Sequence, residues 1–455
     1  MIYTIPIRDP ELGYLDRWLW LPKKKISVEV LKNSLMVPIQ SGGGEEIIQL
    51  WRDSKNHLGI PRARLPFDHF DFPIVDLRPT SYESIDVQSE LVLDARRPEL
   101  TEQKEAFEDL LDGGDGLLNL ACGKGKTCIA LHAIAHWGVP ALIINDKMHI
   151  LEQWKGEINQ HLRVNGEIGW VRGKPDKWTW EDCPIVLASL KTLAMYRNEL
   201  PEGFARRFGV IVWDEAHHLG ARDYSKTADL FTGRRIGLTA TINRADGAEM
   251  IYLWHIGGAV HSNLKQDILP SVVFLRSPAE LNMDDSKIFA ECTDRRGELH
   301  YKRLAICLGG QPAELAFEKE VIDEGVRLGR DMLVASTSRE HARRLHEMYP
   351  GSGIIDKDVP ANKRLLMLRG HKLTFGTIDM AQEALNKTSL NSLIILTEFT
   401  SDRILTQSMG RIQRFLENKR SRVIVVFHHR IPYLAAMGRK LMRRFKQQGI
   451  EVEVK

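Results

Sequence analysis

An apolar run, Leu117-Leu118-Asn119-Leu120, leads into Ala121-Cys122-Gly123-Lys124-Gly125-Lys126-Thr127 and then into a helix-compatible stretch over 127–137. This strand–loop–helix order constrains the fold more than any bulk property of the chain. Loop glycines reach backbone conformations closed to other residues, so backbone N–H groups can turn inward around an anion. The first turn of the helix adds the positive end of its dipole. Lys126 is then placed to reach the β- and γ-phosphates of a nucleotide, and the Thr127 hydroxyl to ligate Mg2+. Gly123, Lys124, Gly125 and the following Cys128 complete the candidate cradle. The broad form of such a loop carries a glycine where this chain has Leu120.

Downstream, the apolar strand Val210-Ile211-Val212-Trp213 ends in Asp214-Glu215-Ala216-His217-His218. In α/β sheets the carboxyl ends of strands present ligand groups. Asp214 is the candidate for Mg2+, a hard cation that prefers oxygen and keeps waters. Glu215 is the candidate to polarise an attacking water. Read alone, the acidic pair is an ordinary helix start; downstream of a phosphate loop it becomes the loop's partner. His217 is assigned to relay the γ-phosphate and His218 to structure.

Short apolar runs at 141–144, 185–188 and 236–239 alternate with helical stretches such as 150–161. The same alternation returns at 332–335, 372–377, 392–396 and 422–426, with helices at 339–348 and 401–412. Strand–helix alternation implies parallel sheets covered by helices. We expect an α/β chain with a domain over 94–264, a second over 265–455, and a small N-terminal accessory α+β domain over 1–93. Its 455 residues suffice for roughly two or three cores.

Five cysteines, an odd number without a CxxC pair, exclude a disulfide framework and a zinc site as sequence expectations. The chain start lacks a charged segment followed by an apolar core, and no run approaches the ~20 apolar residues of a membrane span. Reduced thiols and a cytoplasmic location follow as expectations. Net charge is only +3, so any binding of a polyanion must rest on local charge.

The ordered motifs resemble the superfamily 2 DEAH-box helicases and translocases. Leu100-Thr101-Glu102-Gln103, preceded by Arg97, resembles the adenine-reading Q motif. Ala121 through Thr127 fits the shorter phosphate-loop form of that family, and Asp214 through His217 is similar to its motif II. Leu142-Ile143-Ile144 with Leu151-Glu152-Gln153-Trp154 resembles motif Ia, where Asn145-Asp146 replaces the usual Pro-Thr. Val186 to Leu190 resembles motif Ib, Gly237-Leu238-Thr239-Ala240-Thr241 motif III, and Met332 to Ser336 motif IV. Thr377 through Asn386 looks like motif V, although Glu383-Ala384-Leu385-Asn386 departs from the family's Glu-Gly-Leu-Asp. Gln407-Ser408-Met409-Gly410-Arg411-Ile412-Gln413-Arg414 is similar to motif VI. The resemblance covers about 96–430 and implies two tandem RecA-like domains, ATP and Mg2+ as cofactors, and nucleic acid as partner.

It further implies adenine contacts from Gln103 and Arg97, nucleotide contact from Glu383, and strand contacts from Gln153, Lys155, Ser189, Thr377 and Gln382. Arg411 and Arg414, three apart, share a helix face; family precedent makes Arg414 the arginine finger, with Arg411 beside it. The pattern Thr239-Ala240-Thr241-x-x-Arg244-x-Asp246 is similar to XPB-type repair helicases and bacteriophage UvsW-type helicases. That implies DNA, duplex, forked or branched, and a setting in a bacterial nucleoid or an infected host cell.

Two basic regions stand outside the motifs. Trp18, Trp20 and Lys23-Lys24-Lys25, with Arg62 and Arg64, can be read as a nucleic-acid recognition surface or as a half-buried strand with solvated lysines. Arg439, Lys440, Arg443, Arg444 and Lys446 form a basic helix face that is either solvated or set against duplex. The last residues hold an isolated Glu-x-Lys, too little for a nuclease. Three alternatives remain open: an RNA-remodelling helicase, a non-catalytic ATP-gated clamp, and the motor of a restriction or defence complex.

Overall fold

The computed structural model describes residues 9–41, 44–66, 69–91, 98–121, 123–244, 246–264, 270–294, 297–378, 380, 387, 389–399, 421–447 and 449–455. The chain divides into two compact units, Met1–Leu264 and Lys265–Lys455. Each contains a seven-stranded, all-parallel sheet flanked by helices, a RecA-like lobe. The first unit also carries a small N-terminal α+β region.

In the first lobe the strand order is Ile168–Val171, Ile185–Ser189, Ala141–Asn145, Val210–Asp214, Arg234–Thr239, Gly116–Leu120 and Ala259–Asn263. The five inner strands, almost wholly buried along their length, run between two helical layers, as expected of strands covered on both faces. Leu118, Leu120, Ile143, Leu187 and Val212 pack on one side of the sheet, and Leu117, Leu142, Val186 and Ile211 on the other. The register pairs Asp214 with Leu238 and Thr239 with Asn119. Three strand ends thus lie side by side, and the strand Arg234–Thr239 separates the phosphate-loop strand from the acidic one.

The N-terminal sheet has the order Arg52–Asp53, His57–Pro61, Trp18–Pro22, Gly13–Leu15 and Ile74–Asp76, with a separate hairpin of Met36–Ser41 and Gly44–Gln49. Leu19, Leu21, Leu58 and Ile60 share one core with Ala248 and Ile251 of the lobe. The alternative of a recognition surface at Trp18 and Trp20 is not what the structure shows. Trp18 is 3% exposed and packs against His255, and the Trp20 indole donates to Asp16. The two rings are held by packing and hydrogen bonding, because a central strand buries both of its faces.

Arg62 is likewise a correction to the reading of a basic phosphate-binding loop. Its side chain is 2% exposed and donates to Asp115 Oδ2 (2.6 Å) and to the carbonyls of Thr232 (2.9 Å) and Gly233 (2.8 Å). Asp115 accepts in addition from the Arg235 backbone N–H (2.7 Å). The Arg235 guanidinium, fully buried, donates to the carbonyls of His255, Phe231 and Arg17. Arg64 lies over the Trp254 ring.

The second lobe orders its strands Gly353–Ile355, Leu373–Thr377, Met332–Ser336, Ser392–Ile395, Arg422–Phe427, Ser271–Arg276 and Val452–Val454. Glu453 of the terminal Glu-x-Lys lies in its edge strand, and Lys455 follows directly on it. The helix Pro432–Gln447 buries Leu434, Met437, Leu441 and Phe445 and leaves Arg439, Lys440, Arg443 and Lys446 exposed. The expected helix over 401–412 lies outside the described residues.

Beneath the strand ends of this lobe lies a buried polar chain. His428 bonds Glu398 through Nδ1 (2.8 Å) and Glu314 through Nε2 (3.1 Å), and Glu314 accepts from Ser277. Glu318, one turn along the same helix, meets His341 Nε2 at 2.7 Å. Burial alone would lower the His428 pKa, but the Glu398 and Glu314 carboxylates overcome it and push it up to about 10. A histidine whose pKa is raised on folding stabilises fully below its unfolded value near 6.5, and that stabilisation is lost as pH rises toward 10. We therefore expect the melting temperature of the second unit to fall across this window. The His428→Gln variant should show a flatter profile in the same calorimetric series. Parallel profiles would remove the charged imidazolium from the account.

Candidate active site

The phosphate loop opens the helix Lys126–Trp137, with Gly125 at its N-cap in the left-handed region (φ 80°). A side chain at Gly125 would also collide with Gln103, whose Nε2 would lie 2.3 Å from the added Cβ. The left-handed backbone favours glycine at 125, and a Cβ there would also make the Gln103 amide swing aside. The Lys126 ammonium donates to the carbonyls of Leu120 (2.6 Å) and Ala121 (3.2 Å). Lys124 pairs with Glu102 (2.8 Å), next to Gln103 in the helix Pro98–Gly113. Thr127 and Cys128 are half-buried in the first helical turn.

Asp214 closes the strand Val210–Asp214. Its Oδ2 accepts from Trp154 Nε1 (2.9 Å) and Asn145 Nδ2 (3.1 Å), and its Oδ1 from the Glu215 backbone N–H (3.1 Å). Burial raises the Asp214 pKa to about 6, and the neighbouring Glu215 carboxylate adds to the rise. The Trp154 hydrogen bond and the Lys126 ammonium oppose it. The loop before Lys126 and the acidic strand end lie one strand apart in the sheet, close enough for Lys126 to act electrostatically on Asp214.

Glu215 has φ 53° and ψ 53°, the one non-glycine residue in the left-handed region among the described residues. Such backbone costs of order 1 kcal/mol or more and clusters at functional sites. The turn starts the short 3-10 helix Ala216–Gly220 and sends the carboxylate to 3.3 Å from His217 Nδ1. The same nitrogen lies 3.4 Å from Thr239 Oγ1, which also accepts from the Thr241 N–H (3.0 Å). His217 thus joins the acidic strand to the neighbouring Thr239-Ala240-Thr241 segment. Arg244 donates to the His217 carbonyl and forks onto Asp246, with Nε–Oδ1 at 2.8 Å. Its side chain fills the place a Cβ on Gly220 would need, at 2.7 Å from Nε.

Three supporting residues were missed as site residues by the sequence reading. Asn145 and Asp146 stand where the related motif has Pro-Thr. Asn145 binds Asp214, and Asp146 meets His218 Nδ1 at 2.8 Å. Trp154, quoted only as part of a motif, supplies the second donor to Asp214. The available signal was a polar pair ending an apolar strand, Ala141–Asn145, that neighbours Val210–Asp214.

The strand-contact candidates are spread over both units. Gln153 and Lys155 are half-buried on the helix Met148–His161, with the Lys155 ammonium 6.0 Å from the Trp170 ring centre. Ser189, 7% exposed, caps the helix Leu190–Met195 by accepting from the Thr192 N–H. Thr377 ends a strand of the second lobe. Arg97, Gln382, Glu383, Arg411 and Arg414 lie outside the described residues.

Residues 98–244 match the family described as type III restriction enzyme, res subunit. A protein of Acanthamoeba polyphaga mimivirus named as an ATP-dependent RNA helicase is 25% identical over 377 residues, 80% of this chain and 69% of the relative. A protein of Escherichia phage T5 named as a helicase is 23% identical, covering 79% of this chain and 78% of its own. The DNA 3'-5' helicase XPB of Mycobacterium tuberculosis is 35% identical over 154 residues, 32% of this chain and 27% of the relative.

Proposed function

We propose that this enzyme, a nucleic-acid-dependent ATPase of the helicase type that resembles the XPB-type members of superfamily 2, couples Mg-ATP hydrolysis to unwinding or remodelling of duplex or branched DNA. One observation carries the reading. Lys126, Asp214, Glu215 and the His217–Thr239 contact converge at the carboxyl ends of adjacent parallel strands. That is where an α/β sheet presents groups to a nucleotide.

In this reading the loop amides and Lys126 hold the β- and γ-phosphates, and Gln103, folded over Gly125, flanks the cradle. The Asp214 carboxylate and Thr127 hydroxyl are hard oxygen donors that fit Mg2+. The ion supplies charge neutralisation at the phosphoryl oxygens. Glu215 orients and deprotonates the attacking water. His217 senses the terminal phosphate and passes its state through Thr239 to Thr241. Arg414, with Arg411, stabilises the transferring group as an arginine finger, Glu383 adds nucleotide contact, and Arg97 assists at the base. The strand contacts are assigned, by the family resemblance, to Gln153, Lys155, Ser189, Thr377 and Gln382. The setting is cytoplasmic.

DNA is favoured by the Arg244–Asp246 pair and the identity to DNA helicases of XPB type. The mimiviral relative keeps an RNA substrate as the runner-up. The test is phosphate release with single-stranded, duplex, forked and four-way DNA and with matching RNAs. We expect DNA to stimulate turnover, most with branched forms. Stimulation by RNA alone would reassign the substrate, and a folded protein indifferent to every nucleic acid would overturn the motor reading.

A further inference from the structure

Between the N-terminal region and the first lobe lies a cavity of about 340 Å³. Arg52, Arg197, Arg222 and Lys226 line it, against two carboxylates, Glu46 and Asp229. Arg52 is committed to Asp229 (3.0 Å) and to the Trp18 ring, and Arg222 to Glu46 (3.1 Å). Arg197 and Lys226 make no ion pair among the described residues. The Arg197 Nε–H is buried with no acceptor, and His255, which is 2% exposed and also lines the cavity, has an unpartnered Nδ1. A buried donor without a partner costs about 1–3 kcal/mol, so such a group calls for an acceptor from outside the chain.

The lining is connected through the chain to the site already described. The helix Arg222–Ser225 follows directly on the turn that begins at Glu215. It packs against the helix Leu190–Met195, which Ser189 caps, and Arg197 lies two residues beyond that helix. We propose that this cavity is a backbone-phosphate subsite for nucleic acid, with Arg197 and Lys226 as the residues that hold the phosphodiester. The inference rests on the helicase reading and adds to it a contact made jointly by the N-terminal region and the lobe. Two cations without a carboxylate partner, with the unpartnered Arg197 Nε–H and His255 Nδ1 beside them, fit a phosphodiester, which brings one negative charge and several acceptor oxygens. Contact of this kind gives affinity without sequence preference.

The experiment is equilibrium binding of fluorescent single-stranded and duplex oligonucleotides across a salt series, for wild type, Lys226→Glu and Arg197→Gln. Each lost phosphate contact should reduce the slope of log affinity against log salt by about 0.7 for single strands and about 0.9 for duplex. Affinity should fall uniformly across sequences. Lys226 is exposed, so its variant should fold as wild type does, which a melting curve checks. Should wild type bind and both folded variants keep its slope, the subsite is wrong and the helicase reading stands. Should wild type bind no nucleic acid, the helicase reading falls and the subsite with it.

Discussion

Replacing Glu215 by Gln should lower the turnover of ATP by about 10²–10⁴-fold while leaving nucleotide affinity within a few-fold of wild type. The amide keeps the size of the carboxylate and can stay in contact with His217 Nδ1, 3.3 Å away. It cannot accept a proton from water. The left-handed backbone at 215 is set by the turn into Ala216–Gly220 and does not depend on the side-chain charge, so the variant should keep the local fold. Phosphate release under saturating ATP measures the first quantity, and titration with a fluorescent nucleotide the second. The result also separates a motor from a clamp. A clamp that uses ATP only for binding would retain its biological activity in Glu215→Gln. Turnover within tenfold of wild type would remove Glu215 as the base.

The second large effect concerns stability. Arg62→Ala removes three hydrogen bonds: Asp115 keeps the Arg235 N–H on Oδ1 but loses its donor on Oδ2, and the carbonyls of Thr232 and Gly233 lose the guanidinium. Arg62 is buried but Asp115 is 26% exposed, so the loss falls at the lower end of the about 3–5 kcal/mol that breaking a buried pair costs. For a unit of this size the melting transition should drop on the order of 10 °C. Asp115 immediately precedes the phosphate-loop strand Gly116–Leu120, so loss of ATP binding should accompany the drop near the transition. A surface cation reaching for phosphate predicts the reverse pattern, unchanged melting with weaker binding of nucleic acid. Calorimetry on the purified variant discriminates between the two.

The contrast between these residues shows what could be read from the chain and what could not. The phosphate loop and the Asp214–Glu215 pair were legible because each is written in consecutive residues: glycines at fixed spacing, an apolar strand, a charged end. Inner strands such as Ala141–Asn145 and Ile185–Ser189 were legible because burial on both faces demands uninterrupted apolar residues. Edge strands were not. Ala259–Asn263 is only partly buried, so Ala-Val-His-Ser-Asn carries no clear pattern. Arg62 read as part of a basic loop able to hold phosphate because its partner Asp115 is 53 positions away. The buried pairing of His428 with Glu314 spans 114 positions and has no local signature. Asn145 and Trp154 were visible as residues, but their shared acceptor, Asp214, became apparent only through the parallel register.

The common interior of Leu19, Leu21, Leu58 and Ile60 with Ala248 and Ile251 bears on how this protein can be dissected. Deleting the residues before the first lobe would strip an oily face bare and leave guanidinium-bound carbonyls to water. A shortened protein would then precipitate or melt whether or not the missing piece touches substrate. Inactivity after such a deletion would say nothing about recognition, and only single side-chain exchanges along the seam can assign it a role.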